Sequence, residues 1–263
     1  MPTSPRSLSV PHGGLPVQLT GAGQGEPALV LLSGLGDPAS WWWTVPPPGE
    51  ARPHWRGEPG SPQPGIAAAL STWTQVVSYD RAGVGASPAP ARNRTWADVY
   101  GELDAVLQTL DSPVPPILVG HSLGGMIAST YTRRRPGRVG GLVLLDPTPP
   151  PLSAPPPVSL PEPLALTHFG PEELAPGSFG DLPLVLLAPE RPATVTEAPG
   201  RTQEQLDARF QARRVRHLEW LATSTRSRAV WTHHPDHYVH LEQPGVVVDA
   251  VRQLWREVRS AGA

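Results

Sequence analysis

Short apolar runs closed by glycine, proline or a polar residue alternate along this chain with stretches whose apolar residues recur every three or four positions. The first kind suits strands buried on both faces of a parallel sheet, the second amphipathic helices lying over that sheet. Strands are predicted at Ala28–Leu32, Thr74–Tyr79, Ile117–Val119, Val139–Leu145, Leu184–Leu187 and Arg228–Trp231. Ser7–Val10 and Leu15–Thr20, joined by Pro11-His12-Gly13-Gly14, read as an opening β-hairpin.

Helical spacing places Val99, Leu103, Val106, Leu107 and Leu110 on one face of a helix from Thr95 to Leu110, with Thr95 as its N-cap. A short helix is predicted over Ile66–Leu70 and another from Ser122 to Arg135, whose terminal Arg133-Arg134-Arg135 complements the helix dipole. A further helix, Thr202–Thr223, is expected to bury Leu206, Phe210, Leu218 and Leu221. In the last, begun by Pro244, the buried set is Val247, Val251, Leu254 and Val258.

Alternating strands and helices imply an α/β protein with a mostly parallel sheet, whose sites gather beyond the C-terminal strand ends. From Pro147 onward, proline dominates and only His168–Leu174 hints at a helix. The expected division is a core of residues 1–146 and 183–263, with residues 147–182 as a small lid over the site.

The 263 residues carry a formal charge of −2, which leaves no electrostatic footprint for nucleic acid. All 21 basic residues are arginine, and the absence of cysteine excludes disulfides, thiolate metal sites and a cysteine nucleophile. Neither a signal-type apolar segment nor a membrane-length run is present, so the expectation is a soluble cytoplasmic protein in which the Asn93-Arg94-Thr95 sequon is silent. Gly21-Ala22-Gly23-Gln24-Gly25 lacks the Lys and Ser/Thr of a phosphate loop and precedes a strand, so it reads as a turn.

Chemistry concentrates at the strand ends. Ile117-Leu118-Val119-Gly120-His121-Ser122-Leu123-Gly124-Gly125 reads as strand, very tight turn and helix, with Ser122 at the corner. Such a turn raises the hydroxyl clear of the sheet and leaves the Leu123 amide at a helix N-terminus. Ser33-Gly34-Leu35-Gly36-Asp37 follows the first core strand and can turn backbone amides toward the same crevice. A serine needs a base, an imidazole suits that exchange near neutrality, and a carboxylate must fix the imidazole tautomer. His233-His234-Pro235-Asp236-His237-Tyr238-Val239-His240 follows the last strand. A zinc reading of these histidines is disfavoured, because Pro235 interrupts any helix aligning them and no His-Glu-x-x-His occurs. Trp41-Trp42-Trp43 points to an apolar pocket, with Trp41 and Trp42 its candidate walls, and Asp80-Arg81 is read as an ion or capping pair ordering its turn.

Taken in order, Ser33–Asp37, Tyr79-Asp80-Arg81-Ala82-Gly83-Val84-Gly85-Ala86-Ser87, Gly120–Gly125, Leu144-Leu145-Asp146-Pro147 and His237–Pro244 resemble the serine α/β-hydrolases across nearly the whole chain. That resemblance implies Ser122 as nucleophile, His237 as base and the Leu35 and Leu123 amides as oxyanion hole. It implies a cofactor-free, metal-free carboxylesterase acting on a small apolar ester through an acyl-enzyme. Ser33 stands where many relatives have His, and Asp236 where Gly is common. For the acid, Asp146 matches a position used by some relatives and is favoured; Glu190, after the strand where most relatives carry it, is the alternative. Acyl transfer or lactone cleavage would use the same residues, and a non-catalytic ligand-binding protein on the same scaffold is the rival from another class.

Overall fold

In the computed structural model, residues 5–12, 15–46, 63–110, 112–148, 177–198 and 200–261 are described. Strands β1 (Arg6–His12) and β2 (Leu15–Ala22) form the expected antiparallel hairpin. β3 (Leu29–Leu32) is followed by a 3-10 turn at Ala39–Trp42 and by two short strands, β4 (Thr44–Val45) and β5 (Gln63–Pro64), paired apart from the main sheet. β6 (Val76–Asp80), β7 (Ile117–His121), β8 (Gly141–Leu145), β9 (Leu184–Pro189) and β10 (Ser227–Thr232) complete the set. The main sheet has eight strands in the order β1-β2-β6-β3-β7-β8-β9-β10. From β6 to β10 every pairing is parallel, while β2 meets β6 antiparallel.

The chain leaves β3 on one side to make β6, then returns on the other to make β7. This reversal opens a crevice at the C-terminal ends of β3 and β7, where the two outgoing loops part. Ser33–Asp37 leaves one strand there and Ser122 leaves the other.

Two apolar layers cover the sheet. One face packs against α2 (Trp96–Gln108) and α3 (Leu123–Arg134), through Val99, Leu103, Met126 and Ile127 among others. The other packs against α1 (Ile66–Leu70) and α6 (Pro244–Ala261), where Val247, Val251, Leu254 and Val258 are all buried as their spacing requires. Each such large aliphatic side chain contributes about 1.5–3 kcal/mol on full burial. Thr95 caps α2 in a reciprocal box with Asp98.

The helix α4 (Gln203–Leu221) departs from expectation. It buries Leu206, His217 and Trp220, while Leu218 is 52% exposed. Its inward face carries Arg213 and His217, polar residues that hydrophobic periodicity cannot recognise, so the sequence pattern assigns the wrong rotation. The last helix before α6 is the short α5 (Val239–Glu242).

Most of the predicted lid, including the helical hint at His168–Leu174, lies outside the described residues. At its C-terminal flank, Phe179 stacks on Trp220 with centroids 6.5 Å apart, and Gly180 bridges to Ser224.

Candidate active site

The turn after β7 has the geometry its glycines require. Ser122 adopts φ 52°, ψ −118°, a conformation that costs a non-glycine residue free energy and persists only when its surroundings enforce it. Here its amide donates to Leu145 O at 3.1 Å, and its carbonyl accepts from Gly125, Met126 and Thr148 amides. Gly124 lies against the Leu32 backbone, where a Cβ would collide with the carbonyl, so helix and strand approach this closely only with glycine there. Because α3 starts at Leu123, that amide belongs to the first helical turn, whose N–H groups have no intrahelical acceptor.

Among the described residues, Asp146 is the other non-glycine residue with positive φ, at 40°. It follows β8, beside β7, and its amide donates to Leu187 O at 2.7 Å. The Asp146 side chain is buried, and its Oδ2 lies 2.6 Å from His237 Nδ1. Two residues on, Thr148 Oγ1 lies 3.1 Å from Ser122 Oγ. One three-residue loop thus touches both His237 and Ser122.

Helix α4 supplies two further contacts to the same carboxylate. Arg213 NH2 approaches Asp146 Oδ2 at 2.6 Å, and His217 Nε2 lies 3.2 Å from Oδ1, too bent for a well-formed hydrogen bond. Arg213 NH2 is also 3.3 Å from His237 Nδ1. Both of those nitrogens find their acceptor in Asp146, so the Arg213–His237 contact places two donors side by side rather than pairing them. Burial would raise the Asp146 pKa; the charges of Arg213 and then His237 outweigh it and hold the carboxyl well below the usual range.

His237 is positioned from the opposite side by His121. The His121 Nε2 bonds to the His237 carbonyl oxygen at 2.9 Å, which requires the ring to donate there, and the two rings lie tilted by 47° with centroids 4.6 Å apart. His121 is buried, and burial first, then the neighbouring His237 and His240, hold its pKa well below the ordinary imidazole value. It is therefore neutral, with its proton on Nε2.

The loop after β3 is fixed by buried Arg81, whose two terminal nitrogens donate to Ser33 O at 2.8 Å and Gly34 O at 2.6 Å. These carbonyls immediately precede Leu35. Asp80 accepts from the amides of Ala39 and Ala86, at 2.6 and 2.9 Å, so the Asp80-Arg81 pair orders two loops as well as its own turn.

One sequence expectation needs correction. Trp42, a candidate pocket wall, is 1% exposed and belongs to the core beneath the loop. Its indole is long enough to reach Ser33 Oγ, to which it donates at 2.9 Å, and it packs against the tilted His240 ring at 4.4 Å. Trp41 is half-buried, edge-on to Tyr238 at 6.0 Å. His240 is buried, its ring 4.7 Å from that of His121. The other histidines of that run diverge: His233 meets Glu190, and His234 lies 3.8 Å from Glu242. Glu190 therefore turns away from His237. A concavity of about 370 Å³ lined by Gly25, Pro27, Trp73 and Trp255 lies at the opposite, N-terminal edge of the strands and contains none of this machinery.

Sequence reasoning missed Thr148, Arg213 and His217. Arg213 and His217 are one helical turn apart, so they share a face, but in an arginine-rich helix that spacing gave no distinguishing signal.

The model of the alpha/beta hydrolase fold matches residues 27–166, more than half of the chain. A relative named "Putative carbamate hydrolase RutD", from Variovorax paradoxus, is 34% identical over 131 residues, covering 49% of this chain and 41% of its own length. The chain thus spans well under half of that relative. The solved thioesterase domain from the curacin biosynthetic pathway superposes with a TM-score of 0.64 at 16% identity, over 95% of this chain and all of that one. The carboxylesterase CesB from Bacillus subtilis gives 0.61 at 17% identity, over 96% and 92%. At such identities these two speak for the fold. With the matched family model spanning the crevice loop, the Ser122 turn and Asp146, the chain belongs to the alpha/beta hydrolase fold family.

Proposed function

We propose that this protein is a serine hydrolase that cleaves an ester through an acyl-enzyme on Ser122. His237 takes the Ser122 proton as the hydroxyl oxygen attacks the carbonyl carbon, and returns it to the departing alkoxide. Water then attacks the acyl-enzyme, giving a proton to His237, which passes it to Ser122 Oγ as the acyl–oxygen bond breaks and the acid leaves. Asp146 holds the His237 tautomer and stabilises the imidazolium, and the Leu35 and Leu123 amides receive the developing oxyanion. Neither step needs a cofactor.

The observation that carries this reading is the pairing of strain with contact. Ser122 and Asp146 hold positive φ on adjacent strands, and Asp146 lies 2.6 Å from His237. Strain at two neighbouring strand ends persists where the surroundings over-determine it, as at functional sites. The name of the 34%-identical relative is compatible with acyl chemistry of this class, carbamates included.

The test is hydrolysis of a panel of aryl esters of increasing acyl length. Wild-type protein is expected to turn over members of the panel, and Ser122→Ala to lose the activity by about 10³-fold or more. Full activity in Ser122→Ala would refute the mechanism.

A further inference from the structure

Asp146 is the one carboxylate that Arg213 contacts among the described residues, and it is already shared with His237 and His217. One turn before Arg213 on the same face of α4 stands Arg209, solvent-exposed and without a carboxylate partner among the described residues. Positions 209, 213 and 217 form one stripe, which runs outward from buried His217, past half-buried Arg213, to exposed Arg209. Arg201, just before the N-cap of this helix, adds a third cation within electrostatic range.

Structural economy does not account for this arrangement. Like charges one turn apart on a helix repel, and Arg209 and Arg213 are so spaced. Partial desolvation and then the charges of Arg213 and Arg201 lower the Arg209 pKa, in keeping with crowding that Asp146 only partly offsets. Arg191, by contrast, near the end of β9, is neutralised by Glu197 at 2.7 Å. The positive charge of this stripe leads outward from the contact between Asp146 and His237.

We propose that Arg209, backed by Arg213 and Arg201, is a specificity-determining carboxylate-binding subsite, so that the preferred ester carries an anionic carboxylate remote from its scissile bond. This rests on the esterase reading above and refines its substrate class. Guanidinium groups recognise carboxylates through paired N–H donors.

The experiment compares matched ester pairs in which a carboxylate replaces a neutral group. One pair is a monoaryl adipate and the aryl hexanoate; the other is the butyrate ester of 4-hydroxybenzoate and that of its methyl ester. The anionic member of at least one pair is expected to have the higher kcat/KM, mainly through KM. In Arg209→Gln the anionic-to-neutral ratio is expected to fall about tenfold, the loss of one charge-assisted contact. Arg6→Gln, on the opposite edge strand, controls for net charge. No preference in either pair, a ratio unchanged in Arg209→Gln, or an equal fall in Arg6→Gln would each overturn the subsite. If no ester is hydrolysed, the esterase reading fails separately, and calorimetry still decides the subsite. Adipate is expected to bind Ser122→Ala about tenfold more tightly than Ser122→Ala/Arg209→Gln, and equal affinity or no binding would refute it.

Discussion

His237 Nδ1 lies 2.6 Å from Asp146 Oδ2, whereas Glu190 bonds to His233 on the exposed side of the same loop. If the imidazole works through that contact, Asp146→Asn should lower kcat/KM by about 10³–10⁴-fold, since an amide cannot hold the same tautomer. Glu190→Gln should change it less than twofold. Steady-state kinetics of the two variants separates the carboxylates, and the reverse ranking would reassign the acid.

Arg213 braces the acid from α4 and is about a quarter exposed, at 24%. Removing its charge leaves a buried carboxylate with fewer partners, a loss tempered by solvent access. Arg213→Gln should therefore cost about 1–2 kcal/mol of stability. Arg213→Lys should recover part of it, returning charge without the planar fork. Urea denaturation at neutral pH measures both.

His240 is buried between Trp42 and His121, and burial, helped by the charge of His237, lowers its pKa to about 3. His121 is lowered too. In the unfolded chain both titrate near 6.5, so below that pH the unfolded state binds protons that the folded state refuses. Their contribution is present above pH 6.5 and is lost as pH falls below it, for His240 down to about 3. Each histidine should add a slope of about 1.4 kcal/mol per pH unit within that window. His240 Nδ1 has no hydrogen-bond partner, so His240→Phe should be tolerated and should flatten the acid dependence. Denaturation series at pH 7, 6 and 5 would show it; an unchanged slope would contradict the assignment.

Gly124 abuts the Leu32 carbonyl, a backbone group that cannot rotate away. Gly124→Ala should force α3 off β3 and destabilise the fold by about 1–3 kcal/mol, with activity falling further as the Ser122 turn relaxes. Thermal melts and ester hydrolysis, measured together, test both parts.

The sheet was legible because buried parallel strands leave continuous apolar runs, and Leu29–Leu32, Ile117–Val119 and Leu184–Leu187 are such runs. The Ser122 turn was legible because glycine spacing reports tight backbone geometry directly. The contact between His237 and Asp146 was only one of two options, because it depends on which strand ends the histidine loop folds over. The phase of α4 was not legible at all: its inward stripe includes Arg213 and His217, and a pattern that equates inward with apolar rotates the helix wrongly. Trp42 was misread for the opposite reason, since a large aromatic beside a site can be wholly committed to packing.

The central claim is that Ser122 is an activated nucleophile. Treating the protein with a serine-directed fluorophosphonate and following intact mass and peptide mapping tests it most directly. The expected result is a single stoichiometric adduct on Ser122, absent from Ser122→Ala and formed far more slowly in His237→Ala. No adduct, or an adduct on Ser122 that forms as fast without His237, would contradict it.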